Sequence, residues 1–291
     1  VLLMNRHHIA MDFQSLNVLA EELRLLYAAE IRGRAASLSE MPVQYADYAC
    51  WQCEMVNKPS GERHWAYWKK KLAGELPRLN LPTDRPRPPV QTYNGSSLPF
   101  RIGESEAKAL RNFAKRERVT LYTLLLAVFE TLLHRYSGQD ELCLGSPMLG
   151  RTRPEFQRVV GYFISPVVIR ADLAGDPGFR EHLHRVQSEV LGVLEHQDYP
   201  FPLLVQRLAP KRDSSHSPLF DVMFNLNTAA VEDSGEKLRL AAGSDPAADV
   251  LAIEPEPRSQ GEGQFDLILQ LFDSGRTLSG TFEYNTDLFD A

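Results

Sequence analysis

A proline-rich segment divides the chain and limits how it can fold. Six prolines lie between Leu76 and Pro99. Because proline lacks a backbone N–H and fixes φ, this segment cannot form a helix and is expected to be stiff and extended. We therefore predict a linker at residues 76–96, between a first region at 1–75 and a second region at 97–291.

The apolar residues outside this segment alternate between helical and strand-like spacing. The leucines that follow Gln14 recur at steps of three and four residues, as on an amphipathic helix. Strand-like runs lie at 167–170 and 220–226, and a helical run at 179–195 separates them. Strands interleaved with helices predict an α/β fold but do not give the strand order. The polar segment 231–263 is predicted to be a mobile surface excursion.

Charge and hydropathy limit the kinds of molecule that this chain is expected to bind. The chain has 32 Lys and Arg residues against 38 Asp and Glu, for a formal net charge of −6. This balance argues against a broad nucleic-acid surface. No apolar run reaches the roughly 20 residues needed to cross a bilayer. We therefore predict neither nucleic acid nor a membrane as a partner.

The three cysteines cannot form a disulfide framework, which favours a reducing, cytoplasmic compartment. Cys50 and Cys53 have the CxxC spacing of a redox pair or half a zinc site. No second CxxC follows, and no strand immediately precedes the pair. We therefore predict two small buried residues on one helix.

The clearest chemical signal is HHIAMD at His7–Asp12, which follows a short strand predicted at Val1–Met4. A histidine titrates near neutral pH, so it can accept and return a proton. Asp12 can orient such a site, pair with an arginine or cap the following helix. From the residues alone a structural interpretation stays open, because paired histidines can simply end a strand.

Five segments resemble, in order, the motifs of condensation domains in nonribosomal peptide synthetases. The first, His7–Asp12, resembles HHxxxDG. The next two are similar to YxDYAxW and VGxFVNT, and they are YADYACW at 45–51 and VGYFISP at 160–166. The last two are similar to HQDxPF and RDxSxxPL, and they are HQDYPF at 196–201 and RDSSHSPL at 212–219. Two departures stand out, since Phe13 replaces the usual glycine and Ser165–Pro166 replaces Asn-Thr.

The resemblance implies a two-lobed α/β fold like that of chloramphenicol acetyltransferase, with the site in a tunnel between the lobes. Two earlier family motifs have no counterpart, so we expect an amino-terminally truncated fragment whose first lobe is incomplete. Residues 1–75 would be the remainder of the amino-terminal lobe and 97–291 the carboxy-terminal lobe. Such a fragment is expected to be poorly soluble or inactive on its own.

The resemblance also implies the reaction and its partners. Donor and acceptor carrier domains would present acyl and aminoacyl thioesters on phosphopantetheine arms, and the domain would join them through an amide bond. No cofactor would be bound covalently by the domain itself, and an adenylation domain would be its neighbour.

The resemblance assigns site roles to six residues. His8 is the central residue, which would position the amine, take its proton or hydrogen-bond the tetrahedral intermediate, and the sequence leaves these three roles open. His7 is more often a packing residue. Asp12 is expected to form a bidentate pair with Arg151, in a segment similar to the Gly-Arg turn of the second lobe. The candidate catalytic residues are His8, His7 and Asp12, and the candidate structural or tunnel residues are Arg151, Gly161 and Asn225.

Three alternatives to amide bond formation stay open. Epimerisation domains carry the same HHxxxD motif, and a free-standing acyltransferase using coenzyme A belongs to the same superfamily. A degenerate domain that recruits a partner is the third alternative, and Phe13 is its only support in the sequence.

Overall fold

Helices and strands alternate along the chain in the computed structural model, which describes residues 6–208, 213–228, 231–233, 238–240, 261 and 263–291. The strand predicted at Val1–Met4 and most of the surface segment predicted at 231–263 lie outside the described residues. No described helix is long and apolar enough to cross a membrane.

Seven α-helices are present among the described residues. They are α1 (Phe13–Ile31), α2 (Tyr45–Val56), α3 (Pro59–Lys71), α4 (Glu104–Glu117), α5 (Leu121–Ser137), α6 (Phe179–His196) and α7 (Phe201–Leu208). Helices α2 and α3 are separate, since α3 begins at Pro59 and proline is well suited to a first helical position.

Eight strands are present among the described residues. They are β1 (Gly95–Ile102), β2 (Glu141–Met148), β3 (Ser165–Asp172), β4 (Val222–Thr228), β5 (Val231–Asp233), β6 (Leu238–Leu240), β7 (Leu267–Asp273) and β8 (Leu278–Asn285).

The described residues form two compact units that are interleaved in sequence. Unit 1 comprises 1–63, 148–165 and 230–256, and unit 2 comprises 64–147, 166–229 and 257–291. The proline-rich segment therefore belongs to unit 2, where Asp84 N–H donates to Leu288 O at 2.9 Å. The lobe boundaries at residues 75 and 97 stay a prediction.

A six-stranded mixed sheet runs through unit 2 in the order β1-β8-β7-β4-β2-β3. Strand β8 pairs antiparallel with both β1 and β7, whereas β4 pairs in parallel with β7. Helix α5 packs against α6, α4 and β4. Its run of buried apolar residues explains that position, because a helix apolar on nearly every side must lie in a core.

Unit 1 is built around α1, α2 and the segment 148–165. Its core cluster contains Tyr48, Phe156, Val159 and Phe163, with Trp51 partly buried against it. Tyr48 and Trp51 lie three residues apart in α2, and this spacing places both rings on one face of the helix. In the same unit, β5 and β6 form a short antiparallel pair.

Candidate active site

The paired histidines lie on a tight turn immediately before α1. Residues His8–Ala10 form one turn of 3-10 helix, with His7 as its N-cap. Two backbone bonds close the turn, from Ala10 N–H to His7 O at 3.0 Å and from Met11 N–H to His8 O at 3.2 Å. Both imidazoles are exposed on this turn.

Hydrogen bonds to the backbone give the two imidazoles opposite tautomers. His8 Nδ1 lies 2.9 Å from Met11 O. A carbonyl can only accept, so Nδ1 carries the proton and Nε2 is the basic nitrogen of the neutral ring. His7 Nδ1 instead accepts from Ile9 N–H at 3.2 Å, which occupies its lone pair. Of the two rings, only His8 presents a basic nitrogen away from the turn.

Asp12 is buried, and both of its carboxylate oxygens accept hydrogen bonds. Its side chain caps α1, with Oδ1 2.8 Å from both the backbone nitrogen and the hydroxyl of Ser15. Oδ2 accepts from Phe163 N–H at 3.1 Å. Because hydrogen bonds from several donors hold this carboxylate, it fixes the histidine turn in place.

Arg151 contacts Asp12 in a buried ion pair, with Nη2 2.9 Å from Oδ1. The pair has one hydrogen bond rather than the two expected, and Nη1 donates instead to Phe156 O and Val159 O at 2.7 and 2.6 Å. The guanidinium also lies over the Phe163 ring, 4.0 Å from its centroid. Both partners of the ion pair belong to unit 1.

Two glycines allow the backbone to approach this site closely. Gly150 has φ +65°, and a Cβ there would lie 1.9 Å from Phe163 O. A Cβ at Gly161 would lie 2.1 Å from the Tyr45 ring. Gly161 also bonds to the turn, since its carbonyl accepts from Asp12 N–H at 3.0 Å. The backbone at Gly161 therefore lies close to the Tyr45 ring within unit 1, and a tunnel role for Gly161 stays a prediction.

Ser15 is a site residue that the sequence reasoning missed. Its hydroxyl is fully buried and lies within 3.0 Å of groups on Asp12, Arg151 and Gly161. The available signal was its position three residues after the helix cap, where a side chain can return to the cap. Ser15 therefore connects the histidine turn to the segment 148–165.

Tyr162 is the second residue that the sequence reasoning missed. Its ring meets the His8 ring edge to face, with centroids 5.1 Å apart and an interplanar angle of 87°. Its carbonyl accepts from the Tyr45 hydroxyl at 2.7 Å. Burial raises the pKa of Tyr45, and the nearby carboxylate of Asp12 raises it further.

Asn225 lies in the other unit, on β4. Its amide nitrogen donates to Gln270 Oε1 at 2.9 Å, across the parallel pair of β4 and β7. The amide therefore links two strands of the sheet. A place for Asn225 in the site around His8 stays a prediction.

The prediction of two buried cysteines in α2 is wrong, because Cys50 and Cys53 are both exposed. Helix α2 buries Tyr48 and Met55 instead. Because Tyr48 packs in the aromatic core cluster of unit 1, the two cysteines face solvent. Cys143 is buried in β2, and burial raises the pKa of its thiol to about 12. All three thiols are free.

A second cluster of polar side chains lies in unit 2, where ligand atoms of His216, Asp221 and Asp266 come within 4.8 Å of one another. Arginines already neutralise the carboxylates, since Arg87 donates to Asp266 at 3.1 Å and Arg78 lies 3.6 Å from Asp221. Burial raises the pKa of Asp266, and Arg87 opposes this rise. The cluster holds the proline-rich segment in place and suits a structural role better than cation binding.

Comparison with known proteins identifies the family. A family model described as "Condensation domain" matches residues 1–291. This chain belongs to the condensation-domain family. The recognition of the family from its motifs is confirmed.

The condensation domain is similar to curated synthetases that are much longer than this chain. It is 42% identical over 292 residues to a linear gramicidin synthase protein of Brevibacillus parabrevis, of which it spans 6%. It is 39% identical over 290 residues to a phosphinothricin tripeptide synthetase of Streptomyces viridochromogenes, of which it spans 24%. The match covers 100% and 99% of this chain, respectively.

Solved structures show the same fold. A four-domain nonribosomal peptide synthetase bound to AMP and glycine matches with a TM-score of 0.83 and 30% identity, over 98% of this chain and 22% of that one. The X-domain from teicoplanin biosynthesis matches with a TM-score of 0.78 and 27% identity, over 98% of this chain and 63% of that one. The predicted α/β fold of the chloramphenicol acetyltransferase type is confirmed.

Proposed function

We propose that this condensation domain forms an amide bond between a carrier-bound acyl or peptidyl thioester and a carrier-bound aminoacyl group, with His8 as the catalytic residue. The observation that carries the proposal is the orientation of His8, whose Nδ1 is bonded to Met11 O and whose Nε2 is left as the basic nitrogen. Family membership supports the reaction class.

In this proposal the acceptor amine attacks the donor thioester carbonyl. A C–N bond forms, the C–S bond breaks, and the donor carrier is left with a free thiol. His8 Nε2 takes the proton that the amine loses and returns it to the departing sulfur. A positioned general base of this kind contributes roughly 10²–10⁴-fold in rate.

The remaining site residues would keep the base in position. Asp12 and Arg151 are both buried and hold the turn through charge-assisted hydrogen bonds. A base held in this way needs little reorganisation during the reaction. We assign His7 to the same turn as a packing residue, because its Nδ1 is already bonded to Ile9 N–H.

The proposed partners are two carrier domains, which deliver the substrates on phosphopantetheine arms, and an adjacent adenylation domain. Long synthetases among the relatives and a four-domain synthetase among the similar structures support this setting. We place the domain in the cytoplasm, in keeping with its three free thiols.

The test compares His8→Ala with a matched control, His7→Ala, in the synthetase context with both carriers loaded. Mass spectrometry of the acceptor carrier measures the amide product. We expect His8→Ala to lower the rate by roughly 10²–10⁴-fold and His7→Ala to lower it far less. Equal losses in the two variants would contradict the assignment of His8 as the base.

Recruitment of a partner protein is a second candidate function. The X-domain from teicoplanin biosynthesis forms a complex with OxyB, and that structure matches this chain with a TM-score of 0.77 and 26% identity. Exposed Ile9 and Phe13 beside the histidines offer an apolar surface for such contacts. Unchanged product formation by His8→Ala would favour recruitment.

Epimerisation is tested separately, by α-proton exchange in heavy water with a single aminoacyl carrier.

A further inference from the structure

Among the residues that the structure describes, the His8 imidazole makes one hydrogen bond and one ring contact. The hydrogen bond runs to Met11 O at 2.9 Å, and the ring contact is with Tyr162, edge to face at 5.1 Å between centroids. From this geometry we infer that Tyr162 is a positioning residue for His8, whose ring keeps the imidazole in the orientation that presents Nε2.

The Tyr162 ring is well suited to this role because the backbone on both sides of it is fixed to Asp12. Gly161 O accepts from Asp12 N–H at 3.0 Å, and Phe163 N–H donates to Asp12 Oδ2 at 3.1 Å. The carbonyl of Tyr162 itself accepts from the Tyr45 hydroxyl at 2.7 Å. The residues that precede and follow Tyr162 are thus tied to the cap of the helix that His8 precedes.

His8 needs such a contact because its side chain is exposed. Water competes with the Met11 carbonyl for Nδ1, so the hydrogen bond alone is a weak restraint on ring rotation. An edge-to-face aromatic contact adds a preference for one orientation of roughly two- to tenfold. Tyr162 stands at position x of the VGxFVNT motif, so the motif itself does not call for an aromatic residue there.

The first experiment measures the tautomer of His8 without any reaction. Long-range ¹H–¹⁵N correlation spectra of the imidazole report which ring nitrogen carries the proton, in the wild-type chain and in Tyr162→Leu and Tyr162→Phe. We expect Nδ1–H to dominate in the wild type and in Tyr162→Phe, and a larger Nε2–H population in Tyr162→Leu. Identical spectra for Tyr162→Leu and the wild type would overturn the inference.

The second experiment measures kcat and KM for amide formation in the synthetase context, and its link to catalysis rests on the proposed function. We expect Tyr162→Leu to lower kcat roughly two- to tenfold with KM unchanged. We expect Tyr162→Phe, which keeps the aromatic ring, to have the kcat of the wild type. An equal loss in the leucine and phenylalanine variants would overturn the inference. Tyr162→Met replaces the leucine variant if thermal melts show that the latter is poorly folded.

The two hypotheses fail in different ways. If His8→Ala retains full activity while Tyr162→Leu still shifts the tautomer, the proposed function fails and the positioning contact stands. If His8→Ala is inactive while Tyr162→Leu changes neither the tautomer nor kcat, the positioning role fails and the proposed function stands.

Discussion

Replacing Arg151 with methionine tests whether the buried ion pair holds the histidine turn. The substitution removes the guanidinium hydrogen bonds to Asp12, Ser15, Phe156 and Val159. It also leaves the carboxylate of Asp12, only 1% exposed, without its counter-charge. Removing one partner of a buried pair costs about 3–5 kcal/mol, a large share of the roughly 5–15 kcal/mol that stabilises a domain.

The assay is urea unfolding of Arg151→Met, combined with amide hydrogen exchange at Ser15 and Phe163. Both amides donate to Asp12, so they report on the turn itself. We expect a loss of about 3–5 kcal/mol in unfolding free energy, a fall of about 6–20 °C in Tm, and faster exchange at both amides.

A double variant tests whether the loss of unfolding free energy comes from the unpaired carboxylate of Asp12. Asp12→Asn combined with Arg151→Met removes both charges, so we expect it to be more stable than Arg151→Met alone by about 1–3 kcal/mol. Simple addition of the two single losses would refute the reasoning, as would a loss below about 1 kcal/mol for Arg151→Met.

Two further predictions concern stability. Gly150→Ala should cost at least about 2 kcal/mol, because left-handed strain of about 1–2 kcal/mol adds to the contact with Phe163 O. Gly33→Ala is the matched control in thermal melts, since Gly33 has φ +59° and nothing within 4 Å of the added Cβ; equal losses would contradict the close approach. Burial raises the pKa of Glu130, against the opposing effect of His182. The folded state then holds its proton more tightly than the unfolded state, so unfolding free energy should fall as the pH rises above about 4.5. Glu130→Gln should flatten this part of the pH–stability curve, and an unchanged slope would count against the assignment.

The local elements of the fold could be predicted from the sequence because their signals are local. The leucine spacing after Gln14 predicts α1. The helix-breaking residues Pro59 to Gly61 predict that the helical stretch is divided there, between α2 and α3. The three-residue aromatic spacing in α2 predicts its packing face. These features depend on residues that are close in the chain, so periodicity and capping chemistry are sufficient.

The strand order and the interleaving of the two units could not be predicted, because they depend on contacts between distant residues. Unit 1 takes segment 148–165 from the middle of the sequence of unit 2. The cysteine prediction failed for a related reason. Helical spacing places Cys50 and Cys53 on one face, but only the partners of Tyr48 decide which face is buried.

The sequence names candidate residues for the site, but it does not give the contacts among them. The resemblance names His8 and Asp12 in one motif and Arg151 in a separate segment as candidates, and the structure shows that Asp12 and Arg151 are in contact. The contact is single rather than bidentate, with Nη1 of Arg151 bonded to two carbonyls and Oδ2 of Asp12 bonded to Phe163 N–H, and no motif reports these partners. The roles of Ser15 and Tyr162 depend on side chains meeting across more than a hundred residues, which no spacing rule reports.

The sequence separation of Asp12 and Arg151 has a consequence for biosynthesis. The two residues are 139 positions apart. At a translation rate of about 5–20 residues per second, the carboxylate is made roughly 7–28 s before its arginine. A nascent chain stopped before residue 148 therefore has the histidines but lacks the anchor that organises them. The ion pair that anchors the histidine turn can therefore form only after the first segment of unit 2, residues 64–147, has been translated.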